Sequence, residues 1–173
     1  MQPASATSIQ APISLLEKTP VILEILLRDL PQELFEWKPA SERWSIVEVL
    51  AHMNVIEGLY KQRAKLIMLD PSPNLPKFMP HSESEARQKS AARHLEEFGT
   101  LRRAFVVYLH SIPTAAGSRT GQHYEMGTIT LSEMLHELAN HDLGHLRQIA
   151  ELYRAYSFYP HAGPFQRYSS PKP

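Results

Sequence analysis

Apolar residues recur every three or four positions in four long stretches of the chain, and nowhere do they keep the period of two of a half-buried strand. The pattern predicts an all-α chain. In the first stretch Thr19 reads as an N-cap with Pro20 in the first helical position. Leu23, Leu26, Leu27 and Leu30 then form the inward stripe, Pro31 ends it, and Ile13, Leu15 and Leu16 suggest a short turn of helix beforehand. Ser45 and Glu48, three apart, are a capping box that opens a second helix running to about Leu69, with Val49, His52, Ile56, Leu59 and Arg63 inward. Four prolines between Asp70 and Pro80 stop it and mark a linker long enough to cross one end of a bundle. A third helix is expected from Ser82 or Ser84, with Ala91, Leu95, Phe98, Leu101, Phe105 and Leu109 as its stripe. Pro113 to Thr128, with three glycines, reads as an irregular loop over one end. Thr130 and Glu133 form a second capping box, and the fourth helix places Met134, Leu138, His141, His145, Ile149, Leu152 and Tyr156 on one face. From Ser157 onward periodicity is lost and prolines 160, 164, 171 and 173 predict an extended tail.

At 173 residues the chain has the length of one domain, with its core expected over 19–156 and its tail over 157–173. Lys plus Arg and Asp plus Glu are 18 each, so no net field draws a phosphate backbone or an anionic membrane. Neither nucleic acid nor a membrane is an expected partner. The most apolar run, Val21 to Leu30, carries Glu24, Arg28 and Asp29 and cannot span a bilayer. Met1 to Gln10 show neither a basic n-region nor an apolar h-region, so the expected address is cytoplasmic. Cysteine is absent, which leaves no thiolate of the chain's own as nucleophile or metal ligand. Any thiol chemistry here needs a thiol that arrives as a substrate.

The fourth helix carries the first chemical signal. His141 and His145, four apart, share a face, the spacing at which two imidazoles converge on one metal. A pair of hydrogen-bonded core histidines is the plainer alternative, and His52 on the inward face of the second helix shifts the balance toward a three-histidine centre. Three neutral imidazoles leave metal positions open, the catalytic arrangement, whereas a closed structural site wants a fourth protein ligand. Asp142 and Glu57 are the candidates to accept an outer imidazole N–H, with ordinary solvated carboxylates as the alternative for each. No carboxylate sits at a matching helical phase as a general base, since Glu57 is five residues past His52 and rotated off its face. His81, His94, His110 and His161 are assigned to the surface and His136 to another helix face, while His123, in the loop before the fourth helix, is a further pocket candidate. Trp37 and Trp44 read as aromatics that close the core. Neither a Ser-His-Asp order nor a phosphate-cradling glycine loop is present.

Trp44 to His52, then Gly127 to Leu131, then His141 to Ile149, in that order and spacing, resemble the DinB-like superfamily of damage-inducible proteins and YfiT-type metal-dependent hydrolases. The resemblance runs from about Thr19 to Tyr153. It implies a four-helix bundle of up-down-down-up topology with a long crossover, and a divalent metal on histidines that map to His52, His141 and His145. It also implies a homodimer and, by likeness to the characterised enzymes, transfer of a small thiol such as bacillithiol or mycothiol. The leading expectation is a metal-dependent transferase holding Zn²⁺ or Ni²⁺. The alternatives are a hydrolase with metal-activated water, and a non-enzymatic binding or stress-response module whose metal is structural or absent.

Overall fold

The computed structural model describes residues 8–80 and 82–169. In chain order its helices are α1 (Gln10–Leu27), α2 (Ile46–Leu69), a single turn α3 (Glu83–Ala86), α4 (Ala91–Ser111) and α5 (Leu131–Tyr153). Both capping boxes form where the sequence predicts them. The amide of Ser45 donates to Glu48 Oε2 at 2.7 Å, and that of Thr130 to Glu133 Oε2 at 2.7 Å. The expected third helix divides: Ser82 caps only α3, and the chain starts again at Ser90, whose hydroxyl accepts from the Arg93 amide. His81 lies outside the described residues.

Helix α1 departs most from expectation. It is one continuous helix that begins ten residues before Pro20, and Thr19 and Pro20 lie inside it. A mid-helix proline strands the carbonyl four residues back, here that of Leu16. Nη1 of Arg102 donates to that carbonyl at 3.1 Å, so a group from α4 replaces the missing amide. The helix ends at Leu27, short of Leu30, and Asp29 turns the chain with φ of 61°.

Helices α1 and α2 each pack against both α4 and α5. Ile13 and Leu16 of α1 meet the end of α2, the end of α4 and the start of α5 in one cluster, while Leu23 and Leu27 meet the opposite ends in a second. The helices therefore run up, down, down, up. Parallel α2 and α4 require the connection 70–90 to travel the length of the bundle, as expected. Its start is pinned where the Leu75 amide donates to Gln122 O at 2.9 Å and the Gln122 amide to Pro73 O at 2.7 Å. Arg63 holds it further on through two bonds to Pro76 O, at 2.7 and 3.0 Å.

Gln122 belongs to a hairpin in the segment expected to be irregular: β1 (Thr120–His123) pairs antiparallel with β2 (Gly127–Thr130). Gly127, at φ 72°, closes its three-residue turn. At Gly121 a Cβ would stand 2.9 Å from Leu75, so glycine is needed for the crossover to approach. Strands of four residues are too short for a period of two to register. The tail is also not extended over its described part. It winds through a π turn (Arg154–Phe158) and 3-10 turns (Tyr159–His161, Gly163–Tyr168), with Pro160 and Pro164 in first-turn positions where no amide is missed.

Between the two apolar clusters lies a polar layer with one residue from each long helix: Thr19, Glu57, Arg102 and Asp142. On α4 this layer and His94 occupy the inward face, and Leu95 and Leu101 are only half-buried at its edge. No helix among the described residues is long and apolar enough to cross a membrane.

Candidate metal centre

Antiparallel packing of α2 on α5 brings the two histidine-bearing faces together. Nε2 of His141 lies 2.9 Å from Nε2 of His52 and 3.1 Å from Nε2 of His145, and the three nitrogens all fall within 4.8 Å of one another. Two ligands at ~2.0–2.1 Å from one ion stand about 3 Å apart when the angle between them is near 90°. The separations of His141 from His52 and from His145 therefore suit ligands in adjacent positions on one ion. The His145 ring is locked by its neighbour one turn on. Its Nδ1–H donates to Gln148 Oε1 at 2.9 Å, which leaves the Nε2 lone pair facing inward. Burial, the neighbouring His145 and Arg102 together hold the His141 pKa down, at about 4, and burial lowers that of His145. Both rings are neutral at pH 7. Lone pairs converging without a shared cation are costly to bury, so the donor set fits a divalent metal.

Two aromatics cover the rings. Trp44, 40% exposed, stacks on His145 with an interplanar angle of 6° and a centroid distance of 6.2 Å, and it lies 5.0 Å from the His52 ring. Phe78, carried by the crossover, meets His52 edge-on at 5.6 Å. Trp44 is thus a wall of the centre rather than a plug of the core. Trp37 does close the core, edge-on to Tyr156 at 5.3 Å.

The two carboxylates expected to support the imidazoles instead serve Arg102, which is 1% exposed. Asp142 Oδ2 accepts from Arg102 Nη1 at 2.6 Å and from the Thr19 hydroxyl at 2.8 Å. Glu57 Oε2 is 2.8 Å from Arg102 Nη2. Neither carboxylate is solvated. Burial pushes the Glu57 carboxyl up against the pull of Arg102. For Arg102 itself burial works against the charge, and the two carboxylates outweigh it and raise its pKa.

His94 is buried rather than on the surface, because its Nε2–H donates to Ala86 O at 2.8 Å and ties α3 to α4. His123 turns into its own hairpin, where Nδ1 accepts from the amides of Glu125 and Met126 at 3.3 Å each, and it does not join the triad. His110 and His161 are exposed as expected, and His136 lies on another face of α5 from the triad, also exposed. Gln148, Arg102 and Phe78 are the residues that the sequence reading missed. Gln148, three residues after His145, and Arg102, in helical phase with Phe98 and Phe105, both carried a signal.

Residues 15–149 match the DinB superfamily. The chain belongs to that superfamily. Among solved structures, YfiT from Bacillus subtilis is similar in fold to this chain at a TM-score of 0.75 and 19% identity, over 89% of this chain and 90% of that one. YfiT is described as a probable metal-dependent hydrolase with an unusual four-helix bundle topology. No curated protein matches the chain.

Proposed function

We propose that this DinB-superfamily chain holds a divalent cation, Zn²⁺ or Ni²⁺, on Nε2 of His52, His141 and His145 and transfers a small thiol to an electrophilic substrate. The observation that carries this reading is the convergence of three imidazole nitrogens within 4.8 Å beside buried carboxylates that each form an ion pair with a basic side chain. Asp142 and Glu57 are held by Arg102, and Glu48 by Lys38 at 2.8 Å and by the Ser45 amide. When bound, the cation supplies a Lewis acid that keeps a thiol deprotonated near neutral pH, or lowers the pKa of water toward ~7.

Attack by water gains from a positioned side-chain base, and an ionised thiol needs none. The engaged carboxylates therefore favour the thiol. The cysteine-free chain contributes no thiol, so the nucleophile is a diffusible molecule. In the reaction the thiolate sulfur bonds to the electrophilic carbon, and the leaving group departs with its electron pair. His145 keeps one orientation through Gln148, and Trp44 and Phe78 exclude water from the ring faces they cover. The hydrolase alternative draws its support from the description of YfiT.

The test is conjugation of an electrophile such as monobromobimane by protein of known metal content, with a panel of small thiols. Conjugation that scales with metal and is lost in His141→Ala is the expected result. Ester hydrolysis without thiol would favour the hydrolase. Inert protein with one metal per chain would contradict both and leave the binding module.

A further inference from the structure

Next to the triad a groove of about 690 Å³ runs between the C-terminal half of α5 and the loop before α2. Its size falls in the range of ~300–1,000 Å³ typical of small-molecule sites. Two of its lining residues already belong to the centre: Gln148, which fixes the His145 tautomer, and Trp44, which stacks on His145. A molecule lying in the groove is thus one side chain away from the histidine rings.

Two arginines and two glutamates line the groove, and they differ in whether they are paired. Arg43 and Arg147 both line it, and among the described residues neither guanidinium has an ion-pair partner. Of the two carboxylates, Glu151 is engaged by Arg154 at 2.7 Å, and Glu42 accepts only from the Ser41 hydroxyl at 3.3 Å. Two unpaired forks of planar donors face one free carboxylate, and a guanidinium fork matches a carboxylate or phosphate bidentately. The floor points the same way. Gly144 lines the groove from inside α5, and a Cβ there would meet nothing within 4 Å. A helix-interior glycine costs about 0.5–1 kcal/mol relative to alanine, and here no neighbouring atom requires it. What its bareness preserves is open space in the groove.

We propose that this groove binds the anionic end of a small organic acid, with Arg43 and Arg147 as the residues that select it and Gly144 as the gap that admits it. The proposal deepens the thiol-transfer reading and rests on it for what happens at the histidines. It assigns to one of the two reactants at least one carboxylate, held away from the reacting atom. Binding in the groove itself needs no metal.

Calorimetric titration separates the possibilities. Succinate, inorganic phosphate and the uncharged succinamide are titrated into metal-free protein, and succinate and mercaptosuccinate into metal-loaded protein. Saturable millimolar binding of succinate is expected, weak because exposed ion pairs contribute little. Binding at least tenfold weaker should be found for succinamide and in Arg147→Gln and Arg43→Gln. In Gly144→Leu binding should be lost while the thermal midpoint is unchanged or higher, a result that misfolding cannot mimic. Phosphate bound more tightly than succinate would overturn the carboxylate assignment and identify the anionic end as a phosphate. Mercaptosuccinate bound more tightly than succinate places the carboxylate on the thiol; equal affinity places it on the acceptor. Retention of succinate binding in His52→Ala would uphold the groove even if that variant and the wild type alike held no metal. No saturable binding of any of these anions, or equal binding by wild type and the three groove variants, would overturn the proposal.

Discussion

Gln148 Oε1 stands 2.9 Å from Nδ1 of His145, and that contact decides which nitrogen the ring offers. Partners of this kind typically change metal affinity by 10–100-fold when removed. Gln148→Leu should weaken metal binding by that factor and leave unfolding unchanged, while Gln148→Glu, which keeps an acceptor, should not; competition with a chromogenic chelator measures both. His141 gives a second expectation, for the metal-free protein. Its ordinary pKa of 6.5 falls to about 4 in the fold, chiefly through burial. The unfolded chain then binds more protons than the folded one between those values, so stability is full above 6.5 and declines as pH falls toward 4. Urea unfolding at a series of pH values should show this decline, and His141→Ala should flatten it. The triad was legible in the sequence because a histidine on an apolar helical stripe is conspicuous. Trp44 was not, since a hydrophobic pattern does not tell whether an indole fills the core or lies against an imidazole.

Thr19 and Pro20 show how an element can defeat its own local signals. A threonine followed by proline is the start of a helix by every local rule, yet the chain is helical on both sides of it. The reason is remote. Arg102 satisfies the carbonyl that Pro20 strands, and Asp142 accepts from Thr19, so α4 and α5 complete the interior of α1. The same layer joins α2 through Glu57, and a single guanidinium thus connects all four long helices. Removing one partner of a buried ion pair costs about 3–5 kcal/mol, because a buried charge remains uncompensated. Arg102→Met should lose stability on that scale by denaturant unfolding, and adding Glu57→Gln and Asp142→Asn should restore part of it. The hairpin and the wound tail were illegible for a different reason. Their segments are too short to carry a period, and crossover contacts such as Leu75 against Gly121 cannot be read along the chain.

For the molecule as a whole, the up-down-down-up order is what makes the centre. It sets α5 antiparallel to α2, which brings the N-terminal half of α2, with His52, to His141 and His145 near the middle of α5. The parallel pairing of α2 and α4 forces a long crossover, and that crossover delivers Phe78 to the His52 ring. The direction of each helix followed from the family resemblance and not from periodicity, which is blind to it. The four long helices, both capping boxes and the triad were readable from side-chain pattern, whereas the polar layer and the groove arise only on assembly. The central claim is that three imidazoles from two helices hold one metal. Elemental mass spectrometry of untagged protein, beside the alanine variants of His52, His141 and His145 with circular dichroism as a control for folding, tests it most directly. About one divalent metal per chain in the wild type, lost in each folded variant, is the predicted result. A folded His145→Ala protein that keeps its full complement of metal, or a wild type that stays empty after reconstitution, would contradict it.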